Sequence, residues 1–105
     1  MELWEILVPA SNHKEKFSYE HHKEWDNFVK KIAMGLTIMK SSKGEWVSPV
    51  GKLYKDRMIP VRIQCSRKQF EDIIKFTVKH YDQEAVLGYK VSDDVIMEFK
   101  EGDEK

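Results

Sequence analysis

The chain has one cysteine, few prolines and glycines, no surplus of either charge and no long apolar run. With Cys65 alone among 105 residues, no intrachain disulfide can form, which favours a reducing compartment. Cys65 closes an alternating apolar segment and reads as a small buried hydrophobe. The longest apolar run near the start, Ile6-Leu7-Val8, is too short for a signal peptide or a membrane span, so a cytoplasmic protein without a membrane partner is expected. Eighteen basic residues balance eighteen acidic ones. A duplex-DNA binder carries a net basic footprint, and that partner is excluded here. No Walker loop, GxGxxG, nucleophile elbow, HExxH or Cys/His zinc spacing occurs, so the motifs supply no catalytic residue, no cofactor and no metal ligand set. That argues against an enzyme.

What is present describes an ordinary soluble globule, 41% hydrophobic and 34% charged. The length suits one domain, residues 1–100, with a charged tail over 101–105. Leu3, Trp4, Ile6, Leu7 and Val8, broken only by Glu5, predict a central strand apolar on both faces. Pro9 ends it for want of an N–H, and the polar stretch 10–16 reads as a mobile loop. Ser18 is a suitable N-cap. Trp25, Phe28, Val29, Ile32 and Ala33 then fall at helical spacing, and Gly35 is the expected left-handed stop.

Gly35 to Cys65 reads as a long β-hairpin. Leu36 to Lys40 is extended, Ser41 to Gly44 is a turn or bulge, and Glu45 to Ser48 resumes the strand. Pro49-Val50-Gly51 forms the second turn. Ile59, Val61, Ile63 and Cys65 then alternate with Pro60, Arg62 and Gln64, with Pro60 marking an edge or a bulge. Ser66-Arg67-Lys68-Gln69 matches a capping box, opening a second amphipathic helix that runs to Tyr81. Ala85 to Val91 gives a fourth strand, and Val95, Met97 and Phe99 a short fifth strand or arm. The order β-α-β-β-α-β defines an α+β, ferredoxin-like sandwich, with a four-stranded antiparallel sheet, two helices on one face and a C-terminal arm.

Helices leave the other sheet face open. Thr37, Met39, Arg62 and Gln64 are expected there, with either Leu3/Leu7 or Trp4/Ile6/Val8 from the first strand. An apolar patch of that kind marks association or ligand binding, so a homodimer through the open face is the preferred partner. Three constellations carry polar chemistry. His21-His22, near Glu20 and Asp26, reads as a solvated helix start, since adjacent histidines diverge by about 100° around a helix. His80-Tyr81 closes the second helix at the negative end of its dipole, where His80 is also placed for acid–base work in a pocket below the adjacent loop. Trp46, Tyr54, Lys55, Arg57 and Arg62 on the hairpin combine aromatic rings with cations, as an interface rim or an anionic, nucleotide-like ligand requires.

Trp25 in the first helix, Gly35-Leu36-Thr37, Gly44-Glu45-Trp46 and Gly51 before Met58-Ile59-Pro60-Val61 together resemble a family of small, largely uncharacterised bacterial and phage proteins. The resemblance spans about two-thirds of the chain. It implies a ferredoxin-like fold used in sheet-mediated dimers, with no established reaction. Lys55-Asp56-Arg57 stands where that family tends to be acidic to polar. The leading expectation is a non-enzymatic binding protein acting as a homodimer. The alternative is a small-molecule enzyme or a sequesterer of a nucleotide-like anion, with Arg57 and Arg62 on phosphate, Trp46 or Tyr54 stacking, and His21 or His80 as acid or base.

Overall fold

The computed structural model describes residues 2–12 and 14–101. Seven elements follow one another: β1 (Leu3–Pro9), α1 (Tyr19–Ile32), β2 (Gly35–Ile38), β3 (Ser42–Val47), β4 (Leu53–Gln64), α2 (Arg67–His80) and β5 (Gly88–Ser92). The sheet is antiparallel in the order β2-β4-β1-β5, with β3 also pairing β4. Its topology is the ferredoxin-like one that the element order predicts. No helix among the described residues is long and apolar enough to cross a membrane.

β2 and β3 are two halves of one edge strand. β2 pairs Ile38 with Val61, and β3 pairs Ser42 with Met58. Three residues therefore sit opposite two on β4, which is a bulge of one residue. Pro60 explains its position. The Met39 N–H donates to the Pro60 carbonyl at 2.9 Å, and in a strand a residue's N–H and C=O point to the same side. The donor that Pro60 lacks thus faces the β2–β3 edge, where the ladder is interrupted. β4 is a central strand, and of the two readings of Pro60 the bulge is the one observed. The hairpin closes at Ser48, whose N–H donates to the Lys52 carbonyl at 2.8 Å, with Gly51 at φ 86°, a left-handed position that glycine occupies without strain.

Both helices start as their caps predict. Ser18 Oγ accepts from the His21 N–H at 3.1 Å. At α2 the capping box is complete, with Gln69 N–H on Ser66 Oγ and the Gln69 side chain on the Ser66 N–H. The end of α1 departs from expectation. Ala33 turns extended at φ −109° and leads directly into β2, and Gly35 is not in the left-handed region. The pull of β2 pairing with β4 ends this helix without a glycine cap.

The alternation on β1 is resolved by burial. Trp4, Ile6 and Val8 face the helices and are buried, together with Val61 and Ile63 from β4 and Cys65 just after it. Trp25, Val29, Phe70, Ile73 and Tyr81 close the core from above. The helices run antiparallel, bringing the start of α1 to the end of α2. Phe28 stacks on Phe76 at 3.9 Å between centroids, and the buried Trp25 indole N–H donates to Thr77 Oγ at 2.8 Å. β5 begins at Gly88, later than the expected Ala85, and a Cβ at residue 88 would lie 2.6–2.7 Å from the Phe70 and Ile74 side chains, so the strand passes under α2 at a position without a side chain. Residues 93–101 add no strand. Of the expected charged tail, 102–105 lie outside the described residues.

Candidate functional site

Two places gather the polar chemistry. The first is a row across the open sheet face. Register places Thr37 opposite Arg62, Arg62 opposite Glu5 and Glu5 opposite Tyr89, so four strands each contribute one side chain to one line. Arg62 Nε donates to Glu5 Oε1 at 2.9 Å, and the Tyr89 hydroxyl donates to Glu5 Oε2. Leu3 and Leu7 flank the carboxylate on β1, and Glu5 is only 6% exposed although no helix covers this face. The Tyr89 hydrogen bond, opposed by burial and helped by Arg62, holds the Glu5 carboxyl below its ordinary value. The same bond pushes the Tyr89 phenol up. Gln64 lies on this face as well, and its buried Oε1 accepts no hydrogen bond among the described residues.

The second is a histidine cluster at the antiparallel helix ends. His21 and His80 stack at 3.9 Å, 16° from parallel. Each is tied to the other's backbone: His21 Nε2 is 2.6 Å from the His80 carbonyl, and His80 Nε2 is 2.7 Å from the His21 carbonyl. A carbonyl only accepts, so both Nε2 atoms carry the proton. The Glu24 carboxylate approaches both rings, 3.8 Å from His21 Nδ1 and 3.9 Å from His80 Nε2. Next to them His22 Nδ1 meets the Tyr81 hydroxyl at 2.6 Å. Burial pushes the His22 pKa down, against the raising effect of Asp26, and pushes the Tyr81 phenol up. Phe17 stacks on His21 and meets Tyr81 edge-on, closing the cluster against the loop that precedes α1.

The expected site residues therefore divide. His21 and His80, 59 positions apart, are brought into contact. Trp46 and Tyr54 face each other across β3 and β4 and stack at 4.5 Å. The Trp46 indole donates to Asp56 at 3.3 Å and the Tyr54 hydroxyl to Glu84 at 3.1 Å. Arg62 is engaged with Glu5. Arg57, at the other parity on the same strand, points to the opposite face and donates to Ser41, so Arg57 and Arg62 do not converge. Glu24, Glu5 and Tyr89 join these sites without being expected there. Glu5 has a signal, as the only charge within the apolar run of β1; Glu24 has one in its i, i+3 spacing from His21.

Chemically, His21, Glu24 and His80 offer three ligand atoms within 4.8 Å of one another. Bonds of about 2.0–2.1 Å in a tetrahedral site place ligand atoms about 3.3 Å apart. The Glu24 carboxylate stands about half an ångström beyond that spacing from a nitrogen of each ring, and a shared ion requires His80 Nε2 to release the His21 carbonyl and the stacked rings to turn toward a common point. Cys65 is remote from this chemistry, buried on the core side of the sheet, with burial raising its thiol to about 11.

No family model matches the chain, and no curated protein matches its sequence. Its fold does match solved structures. The periplasmic divalent cation tolerance protein CutA from Archaeoglobus fulgidus superposes with a TM-score of 0.64 at 12% identity, over 91% of this chain and 86% of that one. CutA1 from a psychrotrophic Shewanella gives 0.62 at 11% identity, over 93% and 83%. The divalent cation tolerance protein from Thermus thermophilus gives 0.60 at 12% identity, over 90% and 86%. At these identities the likeness is one of fold.

Proposed function

We propose that the protein is a non-enzymatic binding protein that pairs with a second copy of itself through the open face of its sheet. The observation that carries this reading is the uncovered face itself, with Tyr89 and Val91 exposed and a strandless arm beyond β5 that leaves Ile96 87% and Phe99 64% exposed. Large apolar side chains contiguous with an uncovered sheet mark association surfaces. Within the Glu5–Arg62–Tyr89 row the carboxylate is paired with the guanidinium, so a partner covering it buries no lone charge, and the half-exposed Arg62 keeps its Nη donors for acceptors across the interface. A two-fold arrangement sets each row against its copy. Sedimentation equilibrium tests this: a dimer at tens of micromolar is expected, and a strictly monomeric species at about 100 μM overturns it.

A second reading is favoured by one specific observation, the His21–Glu24–His80 triad. Two of the proteins of like fold are described as divalent cation tolerance proteins, and nitrogen and carboxylate ligands in this number suit zinc or copper with an open coordination position. Titration calorimetry with Zn²⁺ is expected to show one equivalent bound per chain, weakened at least tenfold in His80→Ala. Equal affinity in the variant removes the triad as the site.

A further inference from the structure

A groove of about 500 Å³ lies where the β3–β4 hairpin meets the loop after β1, and its lining includes four cations, Lys43, Lys52, Lys55 and Arg57, and one carboxylate, Asp56. The volume is that of a small-molecule site. Four cations converge on it in a chain whose formal charge is zero, so the clustering is local. Lys43 stands directly opposite Arg57 in the β3–β4 register. Like charges in that relation destabilise a strand pair, and nearby carboxylates do little to offset it. Asp56 accepts from the Trp46 indole, and Glu45 reaches Lys55 only at 3.9 Å, with both side chains at least half exposed. Among the described residues, no carboxylate lies within 4.0 Å of the Lys43, Lys52 or Arg57 cations.

Of the uncharged lining, Ser11 and Asn12 offer donors, beside Leu53 and Tyr54. Asn12 Oδ1 accepts from the Lys14 and Glu15 N–H groups at 2.7 and 2.8 Å. This fixes the amide with its NH₂ left over, and Ser11 adds a hydroxyl. A groove rich in donors and cations selects phosphate oxygens. Lys55 and Arg57 are two residues apart on one strand face, about 6.8 Å, a spread greater than one tetrahedral phosphate needs. We propose that this groove binds a compact polyphosphate, recognised through its phosphate chain. The rings that would hold a base are already engaged: Tyr54 stacks on Trp46, and Lys52 Nζ lies 4.9 Å from the Tyr54 centroid.

The probes are inorganic triphosphate and ATP, titrated without divalent metal at low salt. Saturable binding of triphosphate at one equivalent per chain is expected, weakening steeply as salt rises. The Lys43→Gln/Arg57→Gln double variant is expected to bind at least tenfold more weakly, whereas Lys79→Gln on α2 leaves affinity unchanged. Thermal unfolding keeps the test clear of misfolding, because removing the opposed cations is expected to leave the midpoint equal or higher. ATP binding as tightly as triphosphate supports recognition by phosphate alone, and ATP binding tenfold tighter assigns the site to a polyphosphate-bearing nucleotide. No saturable binding of either probe, or undiminished binding by a folded double variant, overturns the proposal.

Discussion

Glu5 and His22 show how a single side chain ties stability to pH. The folded pKa of each is depressed, Glu5 chiefly by its bond from Tyr89 and His22 chiefly by burial. A depressed folded value means that the unfolded chain binds the proton more readily, so the contribution is complete above the unfolded value and lost as pH falls through the folded one. Ordinary values of about 6.5 for histidine and about 4.3 for glutamate set the upper ends of the two windows. The unfolding midpoint is expected to drop first as pH falls below about 6.5 and again below about 4.3; Glu5→Gln should remove the second drop and spare the first. Arg62→Ala leaves the Glu5 carboxylate with only the Tyr89 donor. Because Arg62 is 43% exposed and screened, the expected loss at pH 7 is about 1–3 kcal/mol, below the cost of breaking a fully buried pair. Chemical denaturation of the variant measures it. The sequence marks Glu5 as a break in an apolar run, but the hydroxyl that holds it comes from 84 residues away, and no local pattern carries that distance.

At the scale of elements, helix starts and strand alternation are legible because they depend on neighbours within four residues. Ser18, the Ser66–Gln69 box and the Ile59-to-Cys65 alternation all fall where local chemistry puts them. Contacts between elements are not legible in this way. His21 and His80 each read as a helix-end residue, and only the antiparallel packing of α1 on α2 stacks their rings. The end of α1 departs from its glycine signal for the same reason, since strand pairing at Met34 and Gly35 decides it. The helix pair has a polar contact in its core, Trp25 Nε1 on Thr77 Oγ, which in turn donates to the Ile73 carbonyl at 2.6 Å. Thr77→Val keeps the shape and strands the indole N–H. A loss of about 1–3 kcal/mol is expected, read as a lower denaturant midpoint at unchanged slope.

For the whole molecule, the element order is enough to give the architecture, because an antiparallel sheet with two right-handed crossovers has few solutions. The order does not show which charged groups meet, and so the hairpin cations and the open-face carboxylate emerge only with the register. If the arm beyond β5 contributes to pairing between copies, a chain ending at Ser92 should keep its far-ultraviolet circular dichroism and sediment as a monomer where the full chain is a dimer. Retention of the dimer would confine the interface to the sheet.

The missing N–H of Pro60 has a consequence for how this chain tolerates change in length. Opposite it, the edge strand already carries one residue more than its partner, and side chains on either side of that point keep their facing. Losing a residue between Met39 and Ser41 would restore an even count while leaving Thr37 opposite Arg62 and Trp46 opposite Tyr54. The bulge is thus a joint at which this chain can lose one residue while the face pattern on either side of it is kept.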